Sequence, residues 1–329
     1  MPEREFDIIT IGDTCVDLIM DLGQVLPRFG QVEQWVPDYF AEMGGSACIF
    51  ACQAARLGLR VAVLGRVGDD LFGHLILQRL RECGVDTRYM SVVQGLKTGL
   101  GVALCRPGGD RAILTHAGSL NAVYPADVTD AFLASGRHFH YCSYYLQTNL
   151  LPAIPEIVRR ARALGLTISL DTNWDPDGRW DGGLRAILPH VDLFFPNEQE
   201  AIAIAQAADL AEAVATLTAL GPVVVVKRGE NGALLADGQA RHQVPVAVNP
   251  DPVDTIGAGD SFDAGFLAGW LRGLPLLECT VIANLCGRAS TTARGGVAGQ
   301  LTAADLPMLG RVQQSTPNPP ARHLGPVSS

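Results

Sequence analysis

An α/β fold on a doubly wound, mostly parallel sheet flanked by helices, with a small β-sheet lid, is what this 329-residue sequence predicts. Three observations carry the prediction. Short apolar runs alternate with helix-period segments for most of the chain. The helix-period segments commonly stop at a glycine, the usual helix terminator. Two segments, 31–42 and 98–115, break that rhythm and alternate apolar with polar residues around turns such as Pro107-Gly108-Gly109-Asp110. They read as antiparallel strands of a sheet that projects as a lid.

Taken in order, a strand is predicted over 6–11, ending at Gly12. A helix follows over 47–57 to Gly58, then a strand over 61–64 and a helix over 71–82 ending near Gly84. A strand at 138–141, a helix at 152–164 to Gly165 and a strand at 167–171 come next. A strand at 191–195 precedes helices at 198–205 and 210–220, the second ending at Gly221. A strand at 223–227 leads into a hairpin over 232–248 that turns at Asp237-Gly238. After residue 260, Phe262, Phe266 and Trp270 recur at helical spacing, and Gly273 and Pro275 end that helix. One domain is expected over 1–312, with the lid from about 14–43 and 97–116. The Pro- and Ser-rich tail, 313–329, is expected to be disordered.

Composition narrows the functional classes. A hydrophobic content of 48% and a mean hydropathy of +0.19 favour a globule with a substantial core. No apolar run approaches the ~18–20 residues of a membrane helix, so no membrane partner is expected. The charged opening Glu3-Arg4-Glu5 is unlike a signal peptide. A net charge of −9 argues against nucleic acid as a partner. The eight cysteines form no Cys-x-x-Cys pair, and Cys48 and Cys52 have no histidine close by, so a reduced, cytoplasmic chain is expected. Lysine occurs only at 97 and 227.

The most informative stretch is Asp254-Thr255-Ile256-Gly257-Ala258-Gly259-Asp260-Ser261-Phe262. Gly257 and Gly259 carry no side chain to keep a phosphate from the backbone. The free N–H groups and dipole of the following helix favour an anion there. Asp260 at the same helix start is placed to take a proton from an attacking hydroxyl. The plain structural alternative is an ordinary turn capped by Asp260.

With four further motifs in order, the chain resembles ribokinase-like (PfkB) carbohydrate kinases over roughly residues 6 to 310. The motifs are Gly44-Gly45-Ser46-Ala47 running to Gly58, Gly65 to Gly73, Asn197-Glu198-Gln199-Glu200, and Lys227-Arg228-Gly229-Glu230-Asn231-Gly232. The resemblance implies an ATP-dependent kinase acting on a primary hydroxyl of a free sugar or sugar derivative. Asp260 matches the family's base, and Gly257, Ala258 and Gly259 match its anion hole. No Gly-x-x-x-x-Gly-Lys-Ser/Thr is present, so this is not a Walker A loop.

Other roles follow from the resemblance. Asn197 and Glu200 match residues that order Mg²⁺ through its waters, the alternative being a capped, solvated helix start. Lys227, Gly229 and Gly232 match positions near the nucleotide, with a surface lysine as the alternative for Lys227. Asn284 matches a position near adenine. Asp254 and Ile256 match positions whose oxygens hold K⁺ in some members, with 291–296 as the facing loop. On the acceptor side, Asp17 matches an acid that binds sugar hydroxyls, and Asp13 is a candidate to join it or to serve as a cap. Gly44 and Gly45 let backbone approach the sugar. Arg111 reaches substrate or braces its strand. A homodimer through the lid is implied, and Trp35, Tyr39 and Phe40 fit a ligand stack, the lid's own core or that dimer contact.

One departure bears on the acceptor. Ile49 stands where the family usually carries an asparagine that binds a sugar hydroxyl, so the acceptor lacks a hydroxyl there or points it elsewhere. A nucleoside kinase and a non-catalytic sugar-binding regulator are the competing readings. A sugar-phosphate acceptor is disfavoured, because no dense Arg/Lys cluster lies near the acceptor motifs in sequence.

Overall fold

In chain order, β1 (Phe6–Ile11) opens the main sheet, and β2 (Cys15–Asp21) and β3 (Asp38–Gly44) leave it. The chain returns through α1 (Ser46–Arg56), β4 (Val61–Gly68), α2 (Leu71–Glu82) and β5 (Met90–Val93). It leaves again as β6 (Gly99–Cys105) and β7 (Arg111–His116). Next come α3 (Asp130–Ser135), β8 (Gly136–Tyr141), α4 (Ile154–Ala163), β9 (Thr167–Leu170), α5 (Leu184–Ile187) and β10 (Leu193–Phe194). Then follow α6 (Glu198–Ala205), α7 (Leu210–Ala219), β11 (Val223–Lys227), β12 (Ala233–Asp237) and β13 (Ala240–Val244). The helices α8 (Ala258–Trp270) and α9 (Leu276–Ser290) complete the domain. The structure, a computed structural model, describes residues 4–107, 110–238 and 240–312, the last three by backbone alone. The expected disordered tail and the Gly108-Gly109 turn lie outside the described residues.

The main sheet has nine strands in the order β13-β12-β11-β10-β9-β8-β1-β4-β5. Its strands run parallel except for the antiparallel edge formed by β11, β12 and β13. The run Val223-Val224-Val225-Val226 shows why the strands read as continuous apolar runs. Val223 and Val225 enter the core that contains α1, α8 and α9, while Val224 and Val226 enter the one that contains α4, α6 and α7. A sheet covered on both faces has no polar side to show.

Helix ends follow local chemistry. Asp70 caps α2 by accepting the Gly73 N–H at 2.8 Å. That cap sits where the predicted helix begins.

The lid is a four-stranded sheet in the order β3-β2-β6-β7, and it corrects two expectations. It is mixed rather than antiparallel. β2 pairs with β3 and β6 with β7 antiparallel, but β2 and β6 are parallel because each opens a separate excursion from the main sheet. Residues 31–37 form no strand. That stretch is mostly exposed and ends in Pro37, and β3 begins only at Asp38. Among the described residues no single helix is long and apolar enough to cross a bilayer.

Candidate active site

The C-terminal ends of the parallel strands converge with the N-terminus of α8, the usual crevice of an open α/β sheet. Gly257 is the N-cap of α8, with φ +73. A Cβ at Gly257 would lie 2.8 Å from both Gly296 Cα and Ile49 Cγ2, so only glycine fits the turn. Among the described residues, no intramolecular acceptor takes the N–H of Gly259 or Asp260. Those two donors open the helix as an anion site. The turn is braced from outside: Asp254 accepts the Ile256 N–H at 3.0 Å and the Gly295 N–H at 2.9 Å. This links the two loops expected to flank a cation.

Asp260 is the third residue of α8 and is buried. Its carboxyl is pushed up to about 7, by burial first and by the charge of Asp171 next, with Lys227 opposing. Ser46, at the start of α1, also opposes the rise. A carboxylate poised near neutrality is suited to accept a hydroxyl proton.

A cleft of about 250 Å³ lies on one side of this turn. Its wall brings together Lys227, Gly229, Gly232, Gly259 and Asn284, all expected near a nucleotide. Asn284 shapes that wall by donating from Nδ2 to the carbonyls of Val244 (3.0 Å) and Pro245 (3.3 Å). The surface-lysine alternative for Lys227 is overturned. Its side chain is 14% exposed and its Nζ lies 2.6 Å from Asp171 Oδ2 and 3.5 Å from Asp263 Oδ2. Sequence reading missed both acids. An acid just past a parallel strand, as Asp171 is, was the available signal.

Asn197 and Glu200 form a reciprocal capping box. Asn197 Oδ1 accepts the Glu200 N–H at 2.9 Å, and Glu200 Oε2 accepts the Asn197 N–H at 2.8 Å. Glu200 is nonetheless buried, and burial with the Asp171 charge pushes it up to about 7. Among the described residues no group of three or more His, Cys, Asp or Glu side chains would hold a metal alone. The oxygen donors fit Mg²⁺ carried in with its waters and a nucleotide.

On the other side, Asp13 serves as a long-range cap. It accepts the N–H of Ser46 (3.1 Å) and Ala47 (2.9 Å) at the start of α1, where Gly45 offers no side chain, and the Ser143 hydroxyl. Asn173 Nδ2 donates to Ser143 Oγ at 2.9 Å and to Ser46 Oγ. Ser143 and Asn173 both hold left-handed backbone, φ +56 and +55. Such strain clusters at functional sites. Neither residue was anticipated, and no sequence signal marks a serine as left-handed. Asp17 lies against Gly44 and Gly101, where a Cβ would meet its carboxylate. It is pushed up to about 6, by burial and then by Asp13 and Asp254, with Arg111 opposing. Ile49 is 2% exposed and packs beneath Gly257 and Gly296, so it braces the anion turn rather than walling an open acceptor site.

A second cleft, of about 700 Å³, separates the lid from residues 252–255. It gathers Arg106, Arg111 and Arg294, far apart in sequence, beside Asp21, Asp38 and Asp254. Arg294 pairs with Asp38 across the lid edge. The two clefts share Pro252 and Thr255, and of the residues predicted on the acceptor side only Arg111 lines the second.

Comparison with known proteins agrees with this geometry. The model of the pfkB family of carbohydrate kinases matches residues 6–303. An ATP-dependent ribose-1-phosphate kinase of Halopiger xanaduensis is 32% identical over 79% of this chain and 83% of its own length. A fructoselysine 6-kinase of Shigella flexneri is 30% identical over 85% of this chain and 95% of its own. A candidate ribokinase II of E. coli, solved with ATP and Mg²⁺, superposes with a TM-score of 0.81 at 25% identity, over 92% of this chain and 98% of its own. Arabidopsis thaliana ribokinase, solved with ribose and ATP, shares the fold at 22% identity, with a TM-score of 0.79 over 94% of this chain and 99% of its own. This chain belongs to the PfkB family and is an ATP-dependent carbohydrate kinase, acting on a sugar or sugar derivative.

Proposed function

We propose that the chain transfers the γ-phosphate of ATP to a primary hydroxyl of a sugar or sugar derivative, with Asp260 as the base. The observation that carries this reading is one turn that pairs a buried carboxyl near neutrality with two unpartnered N–H groups. As the acceptor oxygen attacks, Asp260 takes its proton. The free N–H groups of Gly259 and Asp260, at the Gly257-Ala258-Gly259 turn, meet the charge on the transferring phosphoryl group, the kind of preorganisation phosphoryl transfer relies on, while the Ala258 N–H is turned to the Thr255 carbonyl at 3.4 Å. Lys227, Gly229, Gly232 and Asn284 hold the nucleotide side. Asn197 and Glu200 orient water on Mg²⁺, which neutralises phosphate charge when bound. Asp17, Asp13, Gly44, Gly45 and Arg111 form the acceptor side. The loops at Asp254–Ile256 and 291–296 are the K⁺ position, if the enzyme uses one. A second copy covers the lid and makes a homodimer, an arrangement that fits Phe29 and Trp35, 98% and 94% exposed.

A sugar phosphate is a second reading of the acceptor, favoured by the three arginines around the lid cleft and by the acceptor named for the H. xanaduensis relative. A nucleoside remains a third, supported by a cytidine kinase of Thermococcus kodakarensis, 30% identical over 83% of this chain and 91% of its own length. Kinetics of Asp17→Ala test the acceptor side. The KM for the acceptor should rise at least about tenfold while the KM for MgATP holds, a loss typical of a charged hydrogen bond. A change in ATP affinity alone would show that Asp17 faces the wrong substrate.

A further inference from the structure

The Lys227 side chain crosses the C-terminal edge of the sheet. Strand β10 lies between β9 and β11, and the chain past it still pairs with both, the Phe195 N–H donating to Leu170 and the Lys227 N–H to Pro196, each at 2.9 Å, so the Lys227 side chain spans that segment. Lys227 comes from β11 and Asp171 follows β9. Nζ donates to Asp171 Oδ2 at 2.6 Å, and a Cβ on Gly259 would sit 3.3 Å from it. The ammonium therefore lies beside the first turn of α8, on the wall of the nucleotide cleft. Asp263, one helical turn further on, approaches to 3.5 Å. Two carboxylates around one ammonium leave one charge too many in a buried place. Burial pushes Asp263 well up, toward its neutral form, and the Asp171 charge adds to the rise. Asp171 resists burial because Lys227 holds it down. Asp171 is the carboxylate that meets Lys227 at close hydrogen-bond distance and is held ionised by it.

We propose that Asp171 is a positioning residue: it fixes the Lys227 ammonium beside the α8 N-terminus so that the donor's phosphates meet a cation already in place. The proposal rests on Lys227 being a phosphate neighbour, as read above. A free lysine would surrender its rotamer freedom on meeting a phosphate. Tethered to Asp171, it has lost that freedom before the nucleotide arrives. Burial alone would also favour a neutral amine. Asp171 keeps the group charged, which a neutral Asp263 would not do.

Calorimetric binding of MgATP and of adenosine tests this without any acceptor. The proteins are wild type, Asp171→Asn, Lys227→Met and the double variant. Each single change should weaken MgATP by about 10- to 100-fold, the range of a charged hydrogen bond, and leave adenosine within about twofold. The double variant should be no weaker than Lys227→Met, because Asp171 acts through Lys227. Wild-type MgATP affinity in Asp171→Asn, or losses that multiply in the double variant, would overturn the proposal and leave the Lys227 reading standing. Unchanged affinity in Lys227→Met would overturn both. Should Asp171→Asn fail to fold, wild-type ¹³C NMR of lysine decides, since the chain has only Lys97 and Lys227. The Lys227 Cε signal should shift with MgATP but not adenosine, and should stay in its protonated form at a pH where Lys97 titrates. A Lys227 signal that titrates with Lys97 contradicts the tether.

Discussion

Asp260 carries two opposed demands. Its carboxyl is raised from the ordinary 3.8 to about 7. Between those values the folded state holds a proton that the unfolded chain has released. The group's contribution is therefore most favourable below about pH 4 and declines as pH rises through 7. Asp260→Asn should cut turnover by ~10²–10⁴-fold and yet melt several degrees higher than wild type at pH 8. The gap should close toward pH 4. Thermal scans at the two pH values check this, and a variant less stable at pH 8 would contradict it. The same carboxyl must be ionised to act as a base, so kcat/KM should fall about tenfold per pH unit below about 7. Asp171, Lys227 and Asp13 are the charges that face it. Asn173→Ala should raise the acceptor KM without changing MgATP affinity, because its amide spans Ser46 and Ser143 on the acceptor side. Equal losses for both substrates would place Asn173 elsewhere.

At the scale of elements, the start of α8 is held by fit rather than by a side-chain cap. Gly257→Ala would force a Cβ into Gly296 and Ile49 at positive φ. It should cost ~1–3 kcal/mol of stability, the usual toll of strain at such a position, and most of the turnover. Ile49→Asn should cost a similar ~1–3 kcal/mol, because it buries an amide with no partner, and should not widen the acceptor range. Urea denaturation measures both. An Ile49→Asn protein of unchanged stability would show that the residue faces the acceptor after all. These elements also show what sequence can tell. The predicted bounds of α2 and α6 match the structure because Asp70 and Asn197 write the helix starts locally. The turn before α8 was legible because its two glycines and its acid lie in one short stretch, Gly257 to Asp260. The lid's parallel β2–β6 pair and the two-residue β10 were not, since both depend on where distant segments dock. Asp171 was marked only by its place just past a strand, and Asp263 and Asn173 stayed hidden. Their partners lie on other elements, and nothing nearby in the sequence names them.

At the scale of the molecule, Pro252 and Thr255 join the two clefts, and the lid forms a sheet of its own. All six residues of β7 are exposed, and Ile113 and Leu114 are 56% and 63% exposed. An uncovered edge of this kind invites pairing. Sedimentation should show a dimer for the unchanged chain and a monomer for Leu114→Glu, with little change in melting temperature. A monomeric wild type at micromolar concentration would count against the lid contact. The central claim is phosphoryl transfer from ATP by Asp260. It is tested most directly by ADP release from MgATP across free sugars, sugar phosphates, sugar–amino acid conjugates and nucleosides, with Asp260→Asn run beside wild type. Wild type should turn over at least one acceptor that bears a primary hydroxyl, and Asp260→Asn should not, while MgATP still binds. Turnover that survives Asp260→Asn would contradict it.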